Sequence, residues 1–176
     1  MRRIRLRTWL LIGGAVLVAA GTFAFLQFRP DLLFIDRVVD EPLDPDVAAA
    51  LRAGENGDAS TDADAATVVA TGKWESLRHS TAGDVAIVRT DDGPVLVFDE
   101  LRGDNGPDLH VYLSPAEPSD DADFLAGAIR VDGLKGNIGT QSYALPEDLD
   151  PADFHSVVIW CRRFSVPFGA AELRAA

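Results

Sequence analysis

The chain has little cysteine and, beyond its first residues, little positive charge. Cys161 is the one cysteine among 176 residues, so no intrachain disulfide can form. Four arginines lie within the first seven positions, so the remaining chain is more acidic than the overall net charge of −12 indicates. Such a surface repels phosphate backbones, which argues against nucleic acid as a partner.

Several enzyme motifs are also missing. The sequence has no phosphate-binding loop, no serine nucleophile elbow, no Cys-x-x-Cys pair and no histidine pair at metal-ligand spacing. Gly133, Gly136 and Gly139 are spaced by three, but a dinucleotide fingerprint needs a following helix, and the next segment has a strand pattern. The aspartates between 104 and 123 lack the spacing of a calcium loop. We therefore expect neither a metal site nor a conventional hydrolase.

One long apolar run is present at residues 9–28, which contain twenty residues without a charged side chain. As a helix it would span roughly 30 Å, the thickness of a bilayer core. The basic tail at 1–8 should stay cytoplasmic, which predicts a single-pass plasma-membrane protein whose C-terminal domain is extracytoplasmic. A cleaved signal peptide is the alternative, because Val18-Ala19-Ala20 fits a cleavage site. The acidic domain is expected to stand off anionic lipid.

Residues 29–66 are predicted to form a juxtamembrane stem and an acidic linker. A short helix is expected near 45–53, since Asp44 suits the N-cap and Pro45 the first helical position, while Gly54 is a natural stop. Residues 55–66 contain no large apolar side chain. They cannot bury enough surface to offset chain entropy, which predicts a disordered acidic linker.

From 67 to 174 short apolar runs alternate with turn residues. This pattern predicts an all-β domain, an antiparallel β-sandwich or barrel of about eight short strands. Asp91-Asp92-Gly93 lies between two apolar runs and is typical of a hairpin turn. The candidate strands are Thr67–Trp74, Asp84–Thr90, Pro94–Phe98, Leu109–Ser114, Gly127–Val131, Ser142–Leu145, Ser156–Cys161 and Ser165–Phe168.

Cys161 ends a strongly apolar strand. Alternation places Val157, Ile159 and Cys161 on one face and Trp160 on the other. A buried inert thiol is the commonest fate of a free cysteine, whereas the nearby cation of Arg163 would favour a reactive thiolate. The residues alone leave four roles open: core filler, reactive thiol, ligand, or half of an intermolecular disulfide.

Three histidines are possible partners of that thiol. His155 lies six residues away on the same strand, about 20 Å, so it cannot share a ligand site with Cys161. His79 precedes a loop. His110 shares one face of its strand with Tyr112, and it would meet Cys161 only if the two strands are neighbours, which the sequence does not show.

An ordered set of segments resembles the DM-thirteen family, also called the electron transfer DM-thirteen domain, over residues 70–174. The resemblance implies an extracytoplasmic β-sandwich in which Cys161, the cysteine after Trp160, is the redox centre, as a bare thiol or as ligand to a prosthetic group such as haem. The matching segments are Gly106–Ser114, Leu134–Gly139, Tyr143–Pro146, Ser156–Cys161, Phe164–Val166 and Ala170–Leu173.

Two functions from different classes remain at this point. The first is a membrane-anchored redox or electron-transfer module using Cys161, with His110 as a further cofactor-binding candidate. Trp160, Arg163 and Tyr112 would support that site. Its electron partner would be another envelope or redox protein, since the chain carries no second cofactor domain. The alternative is a non-catalytic envelope binding or structural module in which Cys161 is an inert core residue.

Overall fold

The computed structural model describes residues 2–33, 35–56, 65–119 and 122–176. Helix α1 (Arg2–Phe28) contains the apolar run, and Arg7–Phe28 is long and apolar enough to cross a membrane. Its described side chains are exposed, and the apolar segment is not buried by the rest of the protein. A helix that is apolar on all sides and unburied is typical of a segment whose surroundings are lipid.

The rest of the chain is mostly β-structure. Eight antiparallel strands form a nearly closed barrel in the order β5-β4-β7-β8-β1-β2-β3-β6, and a short β9 pairs with β1. The predicted all-β class and the number of main strands are confirmed. The strands are β1 (Thr67–Ser76), β2 (Thr81–Thr90), β3 (Gly93–Gly103), β4 (Leu109–Ser114), β5 (Ile129–Gly133), β6 (Ile138–Ala144), β7 (Ser156–Cys161), β8 (Val166–Glu172) and β9 (Arg174–Ala175).

The interior of the barrel is filled by alternate residues of the strands. Phe98 on β3 is fully buried there, with the ring of Trp74 at 4.9 Å edge-on and the ring of Tyr143 at 5.3 Å between centroids. All three side chains are buried. Each large buried side chain contributes about 1.5–3 kcal/mol, so this aromatic group is a main source of the domain's stability.

Two hairpin turns mark opposite ends of the barrel. Thr90 pairs with Gly93 across the two-residue turn Asp91-Asp92, as the sequence predicts, and Gly93 has φ of +107°. The β7–β8 turn runs over Arg162–Ser165, and Ser165 occupies the left-handed region at φ +52°. The first turn is acidic and the second is basic and aromatic.

The stem is docked along β6. The amide of Val39 donates to the carbonyl of Ile138, and the amide of Glu41 donates to that of Thr140, each at 2.9 Å. Gly136 and Gly139 have no room for a side chain, because a Cβ on either would collide with the backbone carbonyl of the stem. The two glycines therefore allow the stem to approach β6 closely.

A second helix covers the outer face of the barrel. α2 (Pro45–Asn56) begins at the predicted place, where the Asp44 carboxylate accepts from the amide of Asp46 at 2.9 Å, and it continues past Gly54. Val47 is buried against Val97 of β3. The expected acidic linker falls largely on 57–64, which lies outside the described residues.

Candidate functional site

Cys161 is the last residue of β7 and points into the barrel. Its side chain is free and 0% exposed, within the interior cluster that also contains Val157 and Ile159. Leu109 of β4 lies opposite it on one side, and Val166 of β8 lies opposite it on the other. Directly opposed residues on neighbouring strands share a face, with Cβ atoms about 4.5–5.5 Å apart. The thiol is thus flanked by aliphatic side chains.

His110 and Cys161 do not form a pair. Their strands β4 and β7 are neighbours, but the residue opposite His110 is Trp160. Because side chains alternate along a strand, His110 projects from the opposite face to Cys161. The two strands are neighbours, as a His110–Cys161 pair would require. The register of the strands nevertheless places the two side chains on opposite faces.

His110 instead belongs to a polar cluster on the outer face. Its Nε2 lies 2.8 Å from the Oδ1 of Asp108, and its Nδ1 accepts from the Nε of Arg130 at 3.0 Å. An arginine can only donate, so Nδ1 is unprotonated and Nε2–H donates to Asp108. Both ring nitrogens are therefore occupied, which leaves His110 no free electron pair for a cofactor.

The supporting residues proposed from the sequence lie outside the barrel interior. Trp160 and Tyr112 pack in a separate cluster on the outer face, around Phe124 and Val158. Arg163 is exposed on the β7–β8 turn, and its guanidinium donates to the backbone carbonyl of Gln27 in α1. None of these three side chains reaches the interior face that carries Cys161.

A haem bound through Cys161 would need open space beside the sulfur. The side chain is fully buried and His110 projects from the other face. In the described segments, no group of three or more His, Cys, Asp or Glu side chains is arranged to hold a metal ion. The residues present do not fit a haem at Cys161, and no reaction step through such a group follows from them.

The loop that joins β3 to β4 covers the end of the barrel where Cys161 lies. A Cβ on Gly106 would come within 2.8 Å of the Phe168 ring and 3.0 Å of the Leu109 side chain. Leu109 is the direct β4 neighbour of Cys161, so the loop, Leu109 and Phe168 form one close-packed layer over this end. We call these residues, with the segment Asp104–Asp108, the end cap.

The end cap carries a histidine–carboxylate pair that the sequence did not predict. The His79 ring stacks on Phe168 at 3.7 Å between centroids, and its Nδ1 lies 3.2 Å from the Asp104 carboxylate. A small polar hollow lies beside them, next to Asp36 and Asn105. The only signal in the sequence was a histidine before a loop, and nothing there placed it against a phenylalanine about ninety residues later (168 against 79).

α1 approaches the end of the barrel that the end cap covers. Phe28, the last residue of α1, stacks on Phe164 of the β7–β8 turn with centroids 6.1 Å apart. An apolar cleft lies between this end of α1 and the end cap, lined by Phe28, Pro30, Gly106, Pro107 and Phe164 among others. Cys161 therefore lies at the end of the barrel that faces the apolar helix.

Comparison with known proteins gives one family match. A family model described as electron transfer DM13, the DM-thirteen family, matches residues 73–173. This range includes the end of β1, all of β2 to β8, and Cys161 itself. No curated protein and no solved structure gives a significant match.

Proposed function

The chain belongs to the electron transfer DM13 family, and on this premise we propose that it is a membrane-anchored extracytoplasmic redox module that uses Cys161. The observation that carries the proposal is the position of Cys161, the chain's one thiol, at the barrel end next to α1. A redox group held there is close to partners in or at the membrane.

The membrane orientation follows from charge. α1 has an apolar segment at Arg7–Phe28, and arginines precede or begin it. Positive charge at one end of a span favours retention of that end in the cytoplasm. The barrel follows the other end of α1, so this rule supports an extracytoplasmic barrel.

The chemistry available to Cys161 is thiol–disulfide exchange. The Cys161 thiolate would attack one sulfur of a partner protein's disulfide, forming a mixed disulfide and releasing the other partner sulfur as a thiolate. Attack by a second partner thiolate on the mixed disulfide then returns Cys161 to its reduced form. The number of disulfide bonds does not change in the two steps. The disulfide is transferred between partner proteins, and Cys161 ends in its reduced form.

This reaction requires the end cap to open, because the sulfur is fully buried in the closed barrel. The end cap is the part of the barrel suited to local opening. Its covering segment is a loop, and loops open at lower free energy than the strands they connect. Opening of Asp104–Asp108 would uncover Leu109 and, behind it, Cys161.

Labelling of the full chain in vesicles with a charged maleimide tests the proposal. We expect Cys161 to react in native conditions at a rate that is independent of low concentrations of urea, as local opening predicts. Cys161→Ala is the blank. If the labelling rate instead follows the free energy of global unfolding at all urea concentrations, the thiol is reached only by unfolding and the proposal fails.

The second candidate function is a non-catalytic envelope binding or structural module, in which Cys161 only fills the core. Its complete burial against Leu109 and Val166 favours this reading. The same labelling experiment separates the two functions. A rate tied to global unfolding, together with unchanged cellular function of Cys161→Ala, supports the structural module.

A further inference from the structure

Two turns at opposite ends of the barrel carry opposite charge. At the end remote from α1, Asp91 and Asp92 form the β2–β3 turn, and the exposed Glu147 lies against Gly93. At the end next to α1, the β7–β8 turn reads Arg162-Arg163-Phe164-Ser165. The acidic composition of the chain therefore does not describe the β7–β8 turn, which lies against the end of α1.

Arg162 is exposed and lacks an acidic partner within the described parts of the chain. Its backbone amide is fixed by a bond of 3.0 Å to the carbonyl of Asp108, so the turn has a defined position while the guanidinium stays available. Guanidinium groups bind phosphate oxygens through paired N–H donors.

Phe164 is the one large apolar side chain of this turn, and it is 47% exposed. It stacks on Phe28, where the apolar segment Arg7–Phe28 ends. Phenylalanine side chains of segments that lie on a membrane are buried at the boundary between lipid headgroups and acyl chains. Phe164 is thus held by its neighbour at the depth where an aromatic ring is stable in a bilayer.

We propose that the β7–β8 turn, Arg162–Ser165, docks on the membrane that α1 enters, with Phe164 in the headgroup layer and Arg162 on lipid phosphates. Arg163 stays on the free carbonyl of Gln27 at the end of α1, where a cation is stabilised by the helix dipole. This inference rests on the membrane-anchored part of the proposed function and does not depend on the redox chemistry of Cys161.

Repulsion by the acidic residues does not prevent this contact. The β2 strand, ten residues long, separates the Asp91-Asp92 turn from the opposite end by about 30 Å. This is several times the Debye length of about 8 Å at physiological ionic strength. Near the docking turn, Asp31 is paired with Arg29. Asp108, whose hydrogen-bond partner His110 is neutral, keeps one negative charge beside the two positive charges of Arg162 and Arg163.

Depth measurement with a spin label tests the proposal. The full chain with Cys161→Ala and Ser165→Cys carries a nitroxide on the docking turn, and the matched control has Cys161→Ala and Asp92→Cys on the acidic turn. Both are reconstituted into phosphatidylcholine vesicles with and without phosphatidylglycerol. Collision with oxygen, which concentrates in the bilayer, is compared with collision with a water-soluble nickel complex.

We expect oxygen to dominate at residue 165 and nickel at residue 92, with the label at 165 deeper in vesicles that contain phosphatidylglycerol. Adding Arg162→Gln and Phe164→Ser should increase collisions of the label at residue 165 with nickel relative to oxygen. Asp91→Asn should leave the depth of this label unchanged. Nickel dominance at residue 165 in both lipids overturns the proposal. Protection of residue 165 from both reagents also overturns it, since it indicates a protein in contact with the turn.

Alkaline carbonate extraction of the same vesicles separates the inference from its premise. A chain that is extracted is not anchored, and the membrane part of the proposed function then fails. If the chain resists extraction but the label at residue 165 is exposed to water, α1 anchors the chain and only the proposed docking of the turn is wrong. Charged-maleimide labelling of Cys161 reports on the redox proposal independently of both.

Discussion

His110 and Cys161 lie on neighbouring strands and project from opposite faces of the sheet, because His110 is opposite Trp160 and Cys161 is opposite Leu109. We expect His110→Ala to leave the local-opening rate of the Cys161 thiol unchanged. It should lower the free energy of unfolding by about 1–3 kcal/mol, since Asp108 and Arg130 lose hydrogen-bond partners in a part-buried cluster.

Charged-maleimide labelling at low urea and urea unfolding monitored by fluorescence measure the two effects of His110→Ala. His110→Gln is the matched control, because an amide keeps a donor and an acceptor in place. A change in the Cys161 labelling rate at low urea, beyond that explained by the lower stability, would contradict the separation of the two faces.

The polarity of the side chain at position 161 should affect stability. Cys161 is 0% exposed among apolar neighbours, so Cys161→Ser buries a hydroxyl without an evident partner, at a cost of about 1–3 kcal/mol. We expect Cys161→Ser to unfold at lower urea concentration than Cys161→Ala. Equal midpoints would show that water or a polar group reaches the sulfur position.

The packing of Gly106 controls the end cap. A Cβ at Gly106 would press on the Phe168 ring at 2.8 Å and on Leu109 at 3.0 Å, and both side chains must then move away from the cap. We therefore expect Gly106→Ala to raise the labelling rate of Cys161 at low urea. Gly133→Ala is a suitable comparison, because nothing lies within 4 Å of that Cβ position. Unchanged labelling in Gly106→Ala would show that opening occurs elsewhere.

The stem depends on Gly139. Gly139→Ala is unfavourable for two reasons. Its φ of +106° is rarely adopted by residues with a side chain, and a Cβ would collide with the Val39 carbonyl. We expect a loss of more than about 2 kcal/mol in the free energy of unfolding or, if the barrel tolerates it, release of the stem from β6. Hydrogen exchange of the Val39 and Glu41 amides distinguishes the two. If the Val39 and Glu41 amides are as well protected in a stable Gly139→Ala variant as in Gly133→Ala, the docking of the stem on β6 is contradicted.

Acid should weaken the contact between Glu41 and Lys135. The Lys135 ammonium donates to both carboxylate oxygens at 2.8 Å and holds the pKa of Glu41 below its ordinary value. A carboxyl whose folded-state pKa is depressed contributes stability that is complete above its unfolded pKa, about 4.3, and is lost as pH falls through the folded value.

Glu41→Gln measures that contribution. Both partners are about one-third exposed (37% and 32%), so solvent screening limits the difference to about 1 kcal/mol at neutral pH. We expect the difference in unfolding free energy between wild type and Glu41→Gln to shrink as the pH is lowered below 4.3. A difference that is constant with pH would show that the charge of Glu41 plays no part.

Several elements could be predicted from sequence because their causes are local. The apolar run of α1, the cap of α2 at Asp44 and the turn at Asp91-Asp92 depend on residues close together in the chain. Strand alternation likewise placed Cys161 on the face of Val157 and Ile159, as the interior cluster confirms. The family resemblance was confirmed by the match over 73–173.

Tertiary structure decided everything that depends on which strands are neighbours. The register of β4 on β7 separated His110 from Cys161, and the stem on β6 explained Gly136 and Gly139. The stacking of His79 on Phe168 and of Phe28 on Phe164 joins residues far apart in sequence. Pattern and propensity act over a few residues, whereas strand order and register are set by packing of the whole barrel, so the surroundings of Cys161 follow only from the fold.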